Sequence, residues 1–576
     1  MNSTVERTLK FLNDEYMIQN ENFERILNTT CIELINKRKL FRCKFLKIYD
    51  KYQLLIKFNA SGYIPRKNSL HQYIIFLDER SRKKGVLDNK TYNDLLLLKK
   101  LHATGSLIWT RKDNDDPHYL LAGYSLSEVN SNFLNAVHSF QNTIIYIGEC
   151  PPPTEMLQNL YAYTQSHPLN KFFFEDNQNC EFSVCPLGQE AANCKNILEI
   201  LHTNSSIILQ GPPGTGKSYL IADIAKELLI KNKSVLITTL ANKALLEIIK
   251  KPSLKNALEE NKVFKKALSS EDITSCPKLQ ELDVISPVKG QIHFSTYYSS
   301  TFAELLKNSQ NIPYDYVIVD EASQALLPYL AATVSLGRKQ IFVGDINQLP
   351  PVVELDDESI KRRNYISVIY GLLTVTKILP TYQLTLTYRL SPYAASCTQL
   401  FYKYDLISQN KEINFSITIS KNEYNLSSGT YLVTTQNTMT ESLLILVSEL
   451  SEQFNKYVVN SAIRQKARVA IVTNRVQDVN NIDKYLRLQS DISDTRFTID
   501  TVHRCQGFTA DFAIFYIPDA SFFSFRRELF NVATSRATIA TFIICPGSIV
   551  DSSKGSDAGK YISKVINDSH EIRTKY

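Results

Sequence analysis

The sequence contains no long apolar run and little glycine. No stretch approaches the roughly 18 apolar residues that a membrane-spanning helix requires, so no membrane partner is expected. The first residues, MNSTVERTLKFLNDEY, are too charged for the apolar centre of a secretory signal. We therefore expect a soluble, intracellular protein, in the cytoplasm or with the nucleoid or nucleus. Glycine makes up only 18 of 576 residues, yet three glycines lie at 211, 214 and 216.

Cysteine lacks the spacing of a metal or redox motif. The ten cysteines include no C-x-x-C pair, which favours reduced, mostly buried thiols. The densest group is Cys180, Cys185 and Cys194, with His202 downstream. Its spacing matches no common structural zinc pattern, so a metal centre is disfavoured there.

Charge of neither sign dominates the composition. The 65 Lys and Arg residues exceed the 58 Asp and Glu residues by 7, which permits a phosphate-backbone partner without requiring one. A hydrophobic share of 44% and a charged share of 21% are typical of folded proteins. At roughly 150 residues per domain, the length predicts about four domains.

The spacing of apolar residues changes along the chain. Residues 1–40 show helical spacing, 41–150 show short β-rich runs, and 151–184 form a proline-containing linker and lead-in. From residue 185 onward, strand-like runs alternate with helical ones, which predicts two consecutive α/β units with mainly parallel sheets. We place these units at 185–353, with a polar insert at 250–290, and at 354–550, followed by a tail at 551–576.

Residues 211–218, GPPGTGKS, match the phosphate-binding loop and lie between a predicted strand and a predicted amphipathic helix. Such a loop turns backbone N–H groups toward phosphates, and the following helix N-terminus attracts the anion. Lys217 is expected to reach the β- and γ-phosphates, and Ser218 to offer a hydroxyl to Mg²⁺. The predicted ATP-binding set is Gly211, Pro212, Pro213, Gly214, Thr215, Gly216, Lys217, Ser218 and Tyr219.

A second part of the nucleotide site follows at the end of the strand in YDYVIVDEASQ. Asp320 is placed to hold Mg²⁺, and Glu321 to orient and deprotonate the attacking water. Positive charge from outside the loop is also required, and Arg389 and Arg536 are the candidates. Taken singly, either arginine could instead be a surface ion-pairing residue.

The ordered motifs together resemble superfamily 1 helicases, subfamily 1B, of the RNA-surveillance and immunoglobulin-switch-region type. They cover about 350 residues and read PLGQEAA, GPPGTGKS, TTLANKA, FSTYYSS, DEASQ, VGDINQLPP, LTYRLSP, AIVTNRVQ, TVHRCQGFTAD and FNVATSRA. The resemblance implies two RecA-like motor domains, with a helical stalk and a small β-barrel-like accessory domain before them.

The resemblance also implies residue roles. Gln189 corresponds to the glutamine that reads adenine, Gln348 to the γ-phosphate sensor, and Gly507 to a motif glycine near the nucleotide. Arg475 stands where relatives carry the tyrosine that stacks on adenine, and could substitute for it. The implied nucleic-acid contacts are Thr239, Asn242, Ser295, Thr296, Thr501 and His503. Tyr297 and Tyr298 could stack on bases or form a half-buried strand end.

We therefore expect an ATP- and Mg²⁺-dependent translocase and helicase acting on single-stranded or tailed nucleic acid, DNA or RNA, with 5′→3′ polarity implied by the family alone. A nucleic-acid-stimulated clamp or switch ATPase without processive unwinding is the alternative. The second α/β unit disfavours a P-loop kinase or small-molecule ATPase. The basic run Arg80, Arg82, Lys83 and Lys84 is a further candidate phosphate contact or a solvated loop. The sequence leaves protein partners and oligomeric state open.

Overall fold

The computed structural model describes residues 3–50, 53–67, 72–77, 89–127, 131–173, 184–188, 192–303, 312–436, 439–460, 465–489, 496–519 and 522–576. Cys180, Gln189 and the predicted basic run at 80–84 lie outside these ranges. Within them, no helix is long and apolar enough to cross a membrane.

The chain begins with helices that lead into a closed β-barrel. The helices are α1 (Ser3–Leu27) and α2 (Cys31–Asn36), and the hydroxyl of Thr30 caps the second. The barrel strands are β1 (Phe41–Asp50), β2 (Gln53–Asn59), β3 (Gln72–Leu77), β4 (Lys99–Lys112), β5 (Tyr119–Leu126) and β6 (Ile144–Glu149), in the order β1-β2-β5-β4-β3-β6. Helices α3 (Tyr92–Leu97) and α4 (Ser131–Val137) lie between strands. Alternate strand residues, such as Phe45 and Phe76, fill the interior.

A nine-stranded parallel sheet forms the first α/β unit. Its strands are β7 (Cys185–Leu187), β8 (Ser206–Gln210), β9 (Val235–Thr239), β10 (Val263–Lys265), β11 (Gln280–Glu281), β12 (Ile292–Thr296), β13 (Tyr314–Val319), β14 (Gly337–Gly344) and β15 (Thr381–Leu384). Their order is β11-β10-β12-β9-β13-β14-β8-β15-β7. Every residue of β8 and β9 is buried, because helices cover both faces of such sheets.

The helices around this sheet connect the N-terminal region to it. They are α5 (Glu155–Ser166), α6 (Cys194–Thr203), α7 (Lys217–Ile230), α8 (Asn242–Ile249), α9 (Lys255–Glu259), α10 (Ser270–Ser275), α11 (Tyr297–Ser300), α12 (Leu327–Leu336), α13 (Asp357–Arg362), α14 (Ile366–Ile369) and α15 (Gly371–Val375). Phe11 of α1, Leu160 of α5 and Leu330 of α12 belong to one apolar core. The N-terminal helix therefore packs against the first α/β unit.

The second unit is a six-stranded parallel sheet. Its strands follow two short pairs, β16 (Leu386–Thr387) with β17 (Ile407–Ser408) and β18 (Asn414–Ile419) with β19 (Asn422–Ser427). The sheet contains β20 (Gly429–Thr435), β23 (Val469–Thr473), β24 (Phe497–Thr501), β25 (Ala510–Tyr516), β26 (Ala537–Pro546) and β27 (Glu571–Thr574), in the order β24-β23-β25-β26-β20-β27. Strands β21 (Val458–Asn460) and β22 (Gln465–Lys466) pair separately.

The remaining helices are α16 (Pro392–Thr398), α17 (Thr440–Lys456), α18 (Val476–Gln489), α19 (Arg527–Thr534), α20 (Gly547–Ser552) and α21 (Asp557–Asn567). They complete the α/β alternation around the second sheet. The predicted α/β class with two parallel sheets is confirmed.

Three predicted boundaries are wrong. The first unit does not end at residue 353, because α13 to α15 share its core and β15 lies inside its sheet. Residues 250–290 are not a separate insert, since β10 and β11 extend the edge of that sheet. Residues 551–576 are not a tail, since β27 pairs with β20 and Tyr561 of α21 is fully buried. Apolar alternation does not reveal which sheet a strand joins.

Candidate functional site

The phosphate-binding loop lies between β8 and α7, as its motif predicts. Gly214 and Gly216 have positive φ angles of 75° and 78°, a conformation that glycine adopts without steric cost. The N–H of Gly211 donates to the carbonyl of Gly344 at 2.9 Å, which joins the loop to the end of β14. The Thr215 hydroxyl donates to the Pro212 carbonyl at 2.9 Å. Tyr219, further along, is 54% exposed, and the Lys251 ammonium lies 4.1 Å from its ring centroid.

Lys217 begins α7 and folds back over the loop. Its Nζ donates to the Gly211 carbonyl at 2.7 Å. The charge of Lys217 lowers the pKa of Asp320 and of Asp345, although burial has the larger, opposite effect on both. Lys217 therefore lies between the loop and the two buried carboxylates at the ends of β13 and β14.

Asp320 is buried at the end of β13. It is 4% exposed, and burial, aided by the charge of Glu321, raises its pKa to about 7. Its Oδ1 is a buried oxygen without a hydrogen-bond partner in the described structure. The charge of Lys217, the residue before Ser218, acts on Asp320. A buried, unsatisfied carboxylate oxygen suits a hard divalent cation, which takes carboxylate and hydroxyl oxygens. Asp320 and Ser218 therefore fit a Mg²⁺ ion bound with nucleotide.

Glu321 lies between the two α/β units in a strained conformation. Its φ of 53° and ψ of 35° are left-handed, which is uncommon for a residue with a Cβ. Gln506, which follows β24 in the second unit, donates from Nε2 to Glu321 Oε2 at 2.9 Å. The neighbouring Gly507 has a φ of 77°, and a Cβ there would lie 4.0 Å from Glu321 Oε1. The side chain of the candidate base is thus oriented by the other unit.

A second polar network crosses the units at the end of β14. Asp345 is 2% exposed and accepts hydrogen bonds from Gln348 Nε2 at 2.9 Å and from the Tyr402 hydroxyl at 2.6 Å. Asn531 of α19 donates from Nδ2 to that hydroxyl at 2.7 Å and to the Asn347 carbonyl at 2.9 Å. Gln348 is therefore linked to the second unit through Asp345, Tyr402 and Asn531.

Arg389 lies against the phosphate loop. The preceding Thr387 hydroxyl donates to the Pro213 carbonyl at 2.9 Å, and the Tyr388 N–H donates to the Gly214 carbonyl at 2.8 Å. A Cβ at Gly214 would lie only 2.4 Å from Arg389 Cβ, so only glycine fits this contact. Burial, and then the nearby charge of Arg536, lower the pKa of Arg389 to about 9. Arg389 Nη1 donates to the Ser535 carbonyl at 3.4 Å.

The Arg536 side chain is buried, and each of its three guanidinium nitrogens donates a hydrogen bond. It is 1% exposed, and its guanidinium donates to the carbonyls of Val532, Cys505 and Phe508 and to the Ser535 hydroxyl, at 2.7 to 3.3 Å. Burial is the main cause that lowers its pKa, while the charge of Glu321 opposes that effect. In this conformation Arg536 holds the second unit together at the cleft.

The predicted nucleic-acid residues of the first unit lie on adjacent strand ends. Thr239 of β9 is directly opposite Thr296 of β12, and the buried Thr239 hydroxyl has no hydrogen-bond partner in the part of the chain that is described. Ser295 is buried, Thr296 caps α11 by accepting from the Ser299 N–H, and Asn242 begins α8 in an exposed position.

The two tyrosines after β12 differ. Tyr297 is 2% exposed and its hydroxyl donates to the Asp320 carbonyl at 2.5 Å, so the stacking role for Tyr297 is wrong. The alternative of a half-buried strand end is wrong as well, because Tyr297 begins α11 and is buried. Its ring packs against that of Tyr329 in α12, with ring centroids 4.4 Å apart. Tyr298 is partly exposed, and its hydroxyl donates to Glu155 Oε2 at 3.0 Å.

In the second unit, Thr501 ends β24 and is 6% exposed. His503 Nδ1 is a buried atom with no partner in the described structure. Burial and the charge of Arg526 lower the pKa of His503. Both residues lie on the segment that leads to Gln506, so a ligand bound at Thr501 and His503 would be connected to Glu321 by a few residues of backbone.

Arg475 is engaged in an ion pair in this conformation. It forms a bidentate ion pair with Asp519, at 2.5 and 3.0 Å, and is about half exposed. Adenine stacking by Arg475 would require this pair to reorient. Gln189 lies outside the described residues. Among the described residues no three His, Cys, Asp or Glu side chains converge as a metal site, and Cys180 of the predicted cysteine group lies outside them.

Three residues of this site were not predicted as site residues from the sequence. Gln506, Tyr402 and Asn531 all connect the two units. Gln506 stands directly before the motif glycine Gly507, which was a usable signal. Asn531 lies inside the motif FNVATSRA, which was also a usable signal. Tyr402 contacts Asp345 across 57 residues, and no local pattern marks it.

Comparison with known proteins agrees with this geometry. Residues 195–354 match the family model of an AAA domain. The chain is 28% identical over 161 residues to the DNA replication ATP-dependent helicase/nuclease DNA2 of Saccharomyces cerevisiae, covering 27% of this chain and 11% of that protein. It is 24% identical over 247 residues to the DNA polymerase alpha-associated DNA helicase A of the same yeast, covering 32% of this chain and 36% of that protein. The chain thus spans a minor part of these relatives.

Solved structures give weaker likenesses. The arterivirus nonstructural protein 10 helicase aligns with a TM-score of 0.38 and 13% identity, over 89% of this chain and 79% of that chain. Its complex with DNA aligns with a TM-score of 0.33 and 17% identity, over 61% and 63%. Scores this low do not establish a common overall arrangement.

Proposed function

We propose that the protein is an ATP-dependent nucleic-acid translocase and helicase whose ATP site lies between its two α/β units. The observation that carries this proposal is the convergence at one cleft of the phosphate loop, Asp320 and Glu321 from the first unit with Gln506 and Arg536 from the second. A nucleotide in such a cleft joins the two units. Its hydrolysis would change the distance between them, which converts chemistry into movement along a strand.

Each residue has a distinct proposed role at the phosphates. Lys217 leaves the Gly211 carbonyl to bind the β- and γ-phosphates, and Glu321, oriented by Gln506, takes the proton of the attacking water. Ser218 and Asp320 would hold Mg²⁺, which would supply positive charge against the phosphate oxygens. Gln348 reports the γ-phosphate to Asn531 through Asp345 and Tyr402. Arg389 stabilises charge on the transferring group, and Gln189, Tyr219, Arg475 and Gly507 complete the nucleotide set.

The proposed nucleic-acid path runs over the strand ends of both sheets. Thr239, Asn242, Ser295 and Thr296 would contact phosphates from the first unit, and Thr501 and His503 from the second. Short hydroxyl, amide and imidazole groups position a backbone without reading sequence. This path accounts for a single-stranded or tailed substrate and leaves the choice of DNA or RNA open.

The N-terminal region would then be a helical stalk and barrel-shaped accessory domain serving two RecA-like motors. The Arg487 guanidinium of α18 donates to the carbonyls of Ala60 and Gly62 in the loop after β2, at 3.0 and 3.4 Å. Arg66 lies 3.8 Å from Asp500, the residue before Thr501. These contacts support a position of the barrel beside the proposed path, where it would obstruct a duplex.

Tailed duplexes test the proposal and its polarity. We expect ATP-dependent strand separation of a duplex with a 5′ single-stranded tail and little with a 3′ tail, in agreement with the superfamily 1B resemblance. Glu321→Gln is the control that should bind the substrate without separating it. Nucleic-acid-stimulated ATP hydrolysis with no unwinding of either substrate would favour the alternative, a clamp or switch ATPase. Unwinding from the 3′ tail alone would contradict the polarity.

A further inference from the structure

The outer face of β1, β2, β5 and β4 carries two rows of residues that cross all four strands. In the first row, Lys44 is opposite Lys57, Lys57 is opposite Leu121, and Leu121 is opposite Arg111. In the second row, Lys47 is opposite Leu55, Leu55 opposite Gly123, and Gly123 opposite Trp109. Neighbours of these residues along the strands, such as Phe45, Ile56 and Ala122, fill the barrel interior. The two rows therefore lie on the outside, and we call them the barrel face.

The only tryptophan of the chain lies on this face. The Trp109 indole covers Gly123, where a Cβ would lie 2.2 Å from Nε1, so the glycine makes room for the ring. Tyr49 contacts it edge-to-face, with ring centroids 5.8 Å apart, and is itself 52% exposed. Arg111 lies 5.4 Å from the indole centroid. Partly exposed aromatic rings beside cations are the usual surface on which unpaired bases stack.

Positive charges on the barrel face repel one another, which lowers the stability of the barrel. Lys44 and Lys57 are directly opposite one another, and like charges in that relation destabilise a sheet. Neither row contains a carboxylate. The charge of Lys57 is offset by an ion pair with Asp113 at 2.7 Å and by the charge of Asp116. The charge of Arg111 also acts on Asp113. Within the described residues, no carboxylate lies within ion-pair distance of Lys44, Lys47 or Arg111. An anionic ligand would relieve this repulsion.

We propose that the barrel face binds single-stranded nucleic acid, with bases on Trp109 and Tyr49 and phosphates on Lys44, Lys47 and Arg111. This inference rests on the proposed function and adds a second binding surface to the path over the two sheets. The face continues into the loop after β2, whose carbonyls accept from Arg487 of the second unit.

Trp109 supplies its own probe, because no other residue contributes tryptophan emission. The full-length protein is titrated with single-stranded oligothymidylate at low salt while tryptophan emission and ATP hydrolysis are followed in parallel. We expect saturable quenching. Lys44→Ala/Lys47→Ala should weaken the affinity read from quenching several-fold and reduce its salt slope by up to about one unit per lost contact. Trp109→Ala should weaken binding, measured by the anisotropy of labelled oligonucleotide, by roughly tenfold.

Lys99→Ala/Lys100→Ala is the matched control, since it removes the same charge from exposed positions elsewhere on β4 and should leave affinity, slope and quenching unchanged. Unchanged emission with normally stimulated ATP hydrolysis, or equal effects of the two double variants, would overturn the barrel face as a binding site. Quenching that Lys44→Ala/Lys47→Ala weakens, without any stimulation of ATP hydrolysis, would support the barrel face and contradict the proposed function.

Discussion

At the scale of single residues, Lys217 and Glu321 occupy different places relative to the phosphate loop. Lys217 Nζ lies against the loop carbonyl of Gly211, where it can bind phosphate. Glu321 faces Gln506 across the cleft, where it can act on water. Binding and chemistry should therefore separate on substitution.

We expect Lys217→Ala to weaken nucleotide binding and abolish hydrolysis, and Glu321→Gln to bind ATP normally while losing turnover. Calorimetric titration with nucleotide and a phosphate-release assay measure the two effects. An equal loss of nucleotide affinity in both variants would remove the distinction between the roles.

His293 of β12 predicts a pH dependence of stability. It is fully buried between the Tyr314 hydroxyl and Gln291, and burial lowers its pKa from 6.5 to about 4. The unfolded chain binds this proton below pH 6.5 and the folded protein only near pH 4. The contribution of neutral His293 is therefore complete above pH 6.5 and is lost as the pH falls toward 4, by about 3 kcal/mol.

Denaturant unfolding of the wild type and of His293→Gln across this interval measures that contribution. The free energy of unfolding should fall more steeply with acid in the wild type, because glutamine does not titrate. Parallel curves for the two proteins would show that His293 does not carry the effect.

At the scale of elements, the segment from Thr387 to Arg389 links the phosphate loop to the end of α19. Thr387 donates to Pro213 of the loop, and Arg389 donates to Ser535, the residue after α19. Among the described residues the Arg389 guanidinium makes a single hydrogen bond, to the Ser535 carbonyl at 3.4 Å, near the 3.5 Å limit of such contacts. The guanidinium can therefore turn toward a phosphate at small cost. Arg536 satisfies three carbonyls and a hydroxyl. Their removal should therefore have different consequences.

We predict that Arg389→Ala reduces turnover by on the order of 10³-fold with little change in melting temperature. Arg536→Ala should reduce turnover and also melting temperature, because each buried carbonyl left unpaired costs about 1 to 3 kcal/mol. Arg573→Ala, which removes an exposed arginine paired with Glu571, is the control for both measurements. Near-normal turnover in Arg389→Ala would exclude it from charge stabilisation.

The same elements show what local sequence can reveal. The β8–loop–α7 segment and the carboxylates after β13 were predictable, because glycine spacing, an apolar strand and an amphipathic helix are all local features. The assignment of β15 to the first sheet was not, since Thr381–Leu384 pairs with strands about 170 and 200 residues earlier in the chain. Tyr402 could not be predicted for the same reason, because its contact with Asp345 depends on packing between distant parts of the chain. Gln506 and Asn531 differ from it, since both lie inside motifs that the sequence shows.

At the scale of the whole molecule, the barrel and the two α/β units contact one another around the proposed nucleic-acid path. The barrel contacts the second unit through Arg487 and Arg66, and α1 packs into the core of the first unit. The proposed nucleotide site lies between the two sheets. A ligand on the strand ends of both sheets would therefore bias how the cleft closes on ATP. The binding of nucleic acid and the binding of nucleotide should therefore be coupled, so that each ligand raises the affinity of the protein for the other.

The rate of ATP hydrolysis with and without single-stranded oligonucleotides tests this coupling most directly. We predict that single-stranded DNA or RNA of mixed sequence raises the rate many-fold, that stimulation falls steeply with added salt, and that it depends little on base sequence. The stimulation should vanish in Glu321→Gln. A hydrolysis rate that no oligonucleotide changes at low salt, in a protein that still binds ATP, would contradict a nucleic-acid motor.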